Sequence, residues 1–173
     1  MQRGLATLEI IFAIIIIGVL VKVAVPNAAR ILDTAALDYE TKKLYSELRF
    51  IQEMGRSSTI EAKGMGNTNI LGTANGIVGS DKIALTINSK EKSYQVSRID
   101  KDGRVIAALR EPHYLSNSMK EISSPKNPIS FDSDGKANIV SNHITLTSRL
   151  GKNRYIIFNS VGRMRASLTP AKE

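Results

Sequence analysis

No cysteine occurs among the 173 residues, which excludes a disulfide framework and any thiolate-ligated metal site. Tryptophan is absent, and aromatic residues are only 5% of the chain. Histidine is almost absent: His113 and His143 stand far apart, with no ligand or triad spacing around them. No metal centre, cofactor site or catalytic constellation is therefore expected, and the chain does not read as an enzyme. Acidic residues are missing from one long stretch, between Asp134 and Glu173. That gap holds seven bases (Lys136, Arg149, Lys152, Arg154, Arg163, Arg165 and Lys172) and accounts for most of the +8 net charge. The excess base points to an anionic partner or surface.

What is present begins almost at once. Leu5 to Val25 is apolar except for Thr7, Glu9 and Lys22. A helix of that length is about 31 Å long, close to the hydrocarbon thickness of a bilayer. Arg3 precedes the run, so the positive-inside tendency puts the N-terminus in the cytoplasm and the remainder outside. Lys22 is near the far end and can snorkel. A removable signal peptide fits poorly, because no small-x-small site follows the run. Glu9 needs its own explanation, since an acid at the centre of a membrane helix costs about 2.5–3.5 kcal/mol.

Gly4, Leu5, Glu9, Gly18 and Pro26 together resemble the class III signal of type IV pilins and pseudopilins, over roughly the first thirty residues. The resemblance implies that a prepilin peptidase removes residues 1–4 by cutting after Gly4, and that Leu5 becomes the methylated N-terminus. Leu5 stands where the family usually has Phe or Met. Glu9 then becomes the fifth residue of the mature chain, facing the N-terminal amine of a neighbouring subunit. A buried charge is tolerated when paired, so the acid would act as a docking key.

Beyond Pro26, which should bend the helix, no Gly or Pro interrupts residues 28–54. Leu37, Leu44, Leu48 and Ile51 recur on one helical face, while Asp38, Glu40, Lys42, Lys43, Glu47 and Glu53 are expected on the others. Gly55 and the Arg-Ser-Ser after it read as the stop. Residues 64–80 hold five glycines and no charge, and read as a flexible connection. The rest reads as strands: 82–88 with Ile83, Leu85 and Ile87 on one face, 92–99, 104–109 and 143–148, with Pro112, Pro125 and Pro128 interrupting the middle.

A short repeat stands out in this part. Residues 129–138 (ISFDSDGKAN) and 156–165 (IIFNSVGRMR) align without gaps, each a strand, an Asx-Ser-x-Gly turn and a basic restart. Asp132 to Gly135 resembles the start of a calcium loop, but the later ligands are missing, so a turn is expected. The two-unit pattern is similar to the C-terminal domain of the GspH/FimT minor pseudopilins. Gly162-Arg163-Met164-Arg165 also resembles the Gly-Arg-x-Arg element of pilins that bind DNA during uptake. If extended, Arg163 and Arg165 project on one face about 7 Å apart, with Lys152 and Arg154 as further DNA-binding candidates. No aromatic accompanies them, so contact would be to phosphates and blind to sequence.

The expectation is an α+β, pilin-like chain. Its parts are a leader (1–4), a transmembrane or filament-core helix (5–27), an amphipathic second half (28–57), a Gly/Asn-rich loop (58–81), a small antiparallel β-sheet head (82–166) and a tail (167–173). Function is expected to be structural: a minor pilin or pseudopilin that assembles into, primes or caps a type IV pilus or type II secretion pseudopilus. The implied partners are a prepilin peptidase, other pilins through the N-terminal helix, and an inner-membrane assembly platform. The chain would start as a single-pass inner-membrane protein with its head outside, and then enter the filament. Two alternatives remain: a DNA-binding minor pilin for natural transformation, and a membrane-anchored β domain that never polymerises.

Overall fold

From Gln2 to Gly64 the chain is one α-helix, α1 (63 residues). The computed structural model describes residues 2–64, 82–100, 102–139 and 141–170. Most of the expected loop, 65–81, and the end of the tail, 171–173, lie outside the described residues. Pro26 is held inside the continuous helix, where it removes only one backbone donor. The helix does not stop at Gly55. That glycine sits in a close approach instead, where a Cβ would meet the carbonyl oxygen of Phe131 at 3.4 Å. A single glycine costs a helix only about 1 kcal/mol, so residues 58–64 continue it rather than beginning a loop.

The remainder is two antiparallel sheets. The first contains β1 (Lys82–Asn88), β2 (Ser93–Ile99), β3 (Val105–Ala108), β4 (His113–Tyr114) and β6 (Ile129–Ser130), in the order β3-β2-β1-β6 with β4 also on β2. The second contains β5 (Met119–Ser123), β7 (Asn142–Ser148), β8 (Asn153–Phe158) and β9 (Met164–Ser167), in the order β5-β7-β8-β9. The alternation in sequence is kept: Ile83, Leu85 and Ile87 are buried in β1, and Ile144 and Leu146 in β7. Around the prolines, side-chain amides substitute for backbone pairing. Asn127 Nδ2 donates to the Ile87 carbonyl and Oδ1 accepts from the Ile87 N–H.

The second half of α1 packs on both sheets. Leu37, Leu44, Leu48 and Ile51, each 0% exposed, share one core with Leu85, Val96, Ile129, Phe131, Leu146, Ile156 and Phe158. One expectation for this helix fails. Glu40 is 2% exposed rather than on a solvent face, because it meets the segment around β4, as described below.

The repeated turns have one hydrogen-bond pattern. In Asp132–Lys136 and Asn159–Arg163, the first residue's N–H donates to the fifth residue's carbonyl, and the glycine N–H donates back to the first carbonyl. The first side chain accepts from the third and fifth N–H groups. Asp100–Arg104 repeats this arrangement, and Ser148–Lys152 repeats its two backbone bonds, with the Ser148 hydroxyl accepting the fifth N–H. The glycines adopt φ of 82°, 76°, 78° and 80° at positions 103, 135, 151 and 162, a region that costs other residues about 1–2 kcal/mol.

Two of these turns pack back to back. A Cβ at Gly162 would lie 2.5 Å from the Gly135 carbonyl oxygen, whereas one at Gly151 would meet nothing within 4 Å. Both positions have the same backbone strain, so the pair separates strain from packing. Gly151→Ala should destabilise by about 1–2 kcal/mol, and Gly162→Ala by about 3 kcal/mol or more once overpacking is added. Thermal unfolding of the full chain in detergent measures the difference.

Candidate functional site

Three regions hold the residues of interest, and they are spread along the length of α1. At its N-terminal end, Gly4 and Leu5 lie in the helical backbone. From Glu9 to Leu32 every side chain is exposed, including Ile10 to Ile17, Val19 to Val21, Ile31 and Leu32. Glu9 is the one acid of this stretch. Among the described residues nothing beyond the helix's own backbone would lie within 4 Å of a Cβ at Gly18. Among the described residues this is the one helix long and apolar enough to cross a membrane.

The middle of α1 is tied to the head by polar contacts. Glu40 Oε1 accepts the Ser116 N–H at 3.0 Å. Lys43 Nζ lies 3.0 Å from His113 Nδ1, and His113 Nε2 lies 2.8 Å from Glu40 Oε2. An ammonium can only donate, so Nδ1 accepts and the Nε2–H donates to Glu40. Tyr94 packs against this imidazole at a tilt of 56°, with ring centroids 5.0 Å apart. Burial, with smaller contributions from Glu40, Glu47 and Tyr39, pushes the Tyr94 phenol above its ordinary range. One turn on, Arg110 grips both oxygens of Glu47 at 2.8 Å and lies over the Phe50 ring. These groups bind one another and join β4 to the helix; among the described residues no His, Asp and Glu cluster could hold a metal.

The basic candidates divide. Lys152 Nζ donates to Thr34 Oγ1 at 2.6 Å, and Arg154 Nε donates to Asp38 Oδ1 at 2.7 Å. Both are committed to the contact between helix and head. Arg163 and Arg165 are exposed on either side of the buried Met164, as alternation requires. Arg165 pairs in register with Ile157, three residues and about 10 Å along β8 from Arg154. The structure thus brings the two arginines together and leaves Lys152 and Arg154 apart from them.

What holds the arginine pair in place was not foreseen in the sequence. Gln52, 0% exposed, donates through Nε2 to the carbonyl oxygens of both Gly135 and Gly162, each at 2.6 Å. Its Oε1 accepts from Arg49 Nη1 at 3.0 Å. A glutamine beside Ile51, on the apolar face, was the available signal. Tyr45 adds a hydrogen bond to the Met164 carbonyl. One helix therefore fixes both repeated turns, and with them Lys136 and Arg163.

Compared with known proteins, the chain matches no family model, no curated protein and no solved structure.

Gln52→Leu should leave two buried carbonyls without their donor and cost about 2–4 kcal/mol. Amide exchange should accelerate at Asp134–Lys136 and Val161–Arg163 together, while the matching turn at Asp102–Arg104 stays unchanged.

Proposed function

We propose that this chain is a pilin-like subunit of the GspH/FimT type: a minor pilin or pseudopilin that enters, primes or caps a filament through its N-terminal helix. The observation that carries the reading is the uncovered half of α1. Its side chains are exposed from Glu9 to Leu32 and apolar on all sides from Ile10 to Val21, and they include one carboxylate in register with Gly4, Gly18 and Pro26. A bilayer would cover the apolar side chains but would leave Glu9 in lipid. Parallel helices of neighbouring subunits would cover the same side chains and also offer Glu9 a terminal amine, if the chain is cut after Gly4. The acid then selects one axial register, because any other leaves it buried and unpaired.

Removing one partner of a buried ion pair costs about 3–5 kcal/mol. Glu9→Gln should therefore reduce incorporation into filaments at least about a hundredfold, while processing after Gly4 and membrane insertion stay normal. Intact mass checks processing, and crosslinking to neighbouring subunits checks assembly. Normal crosslinking of the variant would show that the acid has another role, whereas no crosslinking even of the unaltered chain would favour a membrane-anchored β domain that does not polymerise.

A second reading, a DNA-binding minor pilin, is supported by the arginine pair. Neither the Arg163 nor the Arg165 side chain holds a hydrogen bond or ion pair among the described residues. Arg163→Ala with Arg165→Ala should weaken duplex binding and lower the log–log salt slope by about 1.8. Lys152→Ala and Arg104→Ala should change it little. Equal losses from all of these variants would reject a site at Arg163 and Arg165.

A further inference from the structure

The order of contacts along α1 fixes which end of the head faces the span. Lys152 reaches Thr34, Arg154 reaches Asp38, Tyr45 reaches Met164 and Gln52 reaches Gly162. Strand β8 therefore runs parallel to α1, and the β7–β8 turn, Arg149 to Lys152, is its span-proximal tip. Thr34 is nine residues beyond Val25, about 14 Å along the helix axis. The headgroup layer itself extends about 5–7 Å beyond the hydrocarbon, which leaves about 7–9 Å between it and the level of Thr34, within reach of long side chains at this tip and of a modest helix tilt.

The chemistry of this tip suits a lipid surface. Leu150 is 55% exposed at the turn and Tyr114 is 61% exposed beside it. A surface depression joins Tyr114 and Arg149 to Glu91 of the β1–β2 turn, and the Arg149 N–H donates to the Ser118 carbonyl, so these loops share one end of the head. Lys90 and Arg149 are exposed there, and Arg30 is exposed on α1 just below. Glu91 and the buried Asp33 oppose them, while Asp38 is held by Arg154.

We propose that this rim is a membrane-surface site that rests the head on anionic lipid headgroups while α1 spans the bilayer. Leu150 and Tyr114 enter the interface, where such side chains are favoured, and Arg30, Lys90 and Arg149 face the negative headgroups. Leaving the membrane for a filament would then require breaking this contact. The proposal rests on the spanning helix, not on polymerisation.

The absence of cysteine permits unique labelling of the full chain. Leu150→Cys, Ile14→Cys and Ser160→Cys, each carrying a fluorophore, are reconstituted in phosphatidylcholine vesicles with or without phosphatidylglycerol. Quenchers are placed on the headgroups or the acyl chains. The expected result is headgroup quenching at position 150 in anionic vesicles only, released by salt, with none at position 160 on the distal turn. Arg149→Ala should lower the docked population about fivefold. Acyl-chain quenching at position 14 in both vesicles reports the span. Its failure would overturn the spanning helix itself. Its success without quenching at 150 would overturn the docking alone. Salt-insensitive quenching in neutral vesicles, or quenching that tracks protein density, would also overturn it, the latter in favour of contact with another copy.

Discussion

Helix α1 has to satisfy two environments without a break between them. Leu32 is 69% exposed and the next residue, Asp33, is 6% exposed, so the change from uncovered to core-facing helix falls within a single turn. Below that point nothing among the described residues covers the apolar side chains. Above it, Leu37, Leu44, Leu48 and Ile51 are fully buried, each contributing about 1.5–3 kcal/mol of burial. They lie against strands of both sheets. The head thus depends on the second half of the helix for its core.

Apolar burial is not directional and would not by itself fix how far the head sits along the helix. The polar contacts supply that register. Arg154 on Asp38, His113 and Ser116 on Glu40, Arg110 on Glu47, and Gln52 on the two turn carbonyls fall at successive levels of α1. Glu40 and Gln52 are buried and fully engaged, so sliding the helix by a turn would strand both. An unsatisfied buried polar group costs about 1–3 kcal/mol, and more when charged.

Much of this was legible in residue spacing. The core face of α1, the alternation in β1 and β7, and the Asx-x-x-Gly turns follow from local periodicity and turn chemistry, which one stretch of sequence contains. The same logic separated Arg163 from Met164. Glu40 and Gln52 were not legible, because a polar residue on a helix is ordinarily solvated. Their burial is decided by Ser116, Gly135 and Gly162, partners distant in sequence. Gly55 misled for a related reason: as a local signal it reads as a helix stop, whereas its role is the approach of Phe131. Lys152 and Arg154 looked like part of a basic surface until Thr34 and Asp38 were seen to face them. The division into two sheets was also hidden, since strand propensity does not say which neighbour a strand takes.

The charge of the chain therefore does not form a single surface. Lys152 and Arg154 hold the head to the helix. Arg30, Lys90 and Arg149 lie toward the span. Arg163 and Arg165 lie beyond Gln52 at the other end, with Lys136 on the adjoining turn. Debye screening limits each group to about 8–10 Å in physiological salt, less than the rise of the helix between Thr34 and Gln52, about 27 Å. An anion met at one end is not felt at the other. These eight bases thus fall into one structural set and two separate exposed sets. A head resting on lipid through the first of these would leave the arginine pair pointing away from the membrane.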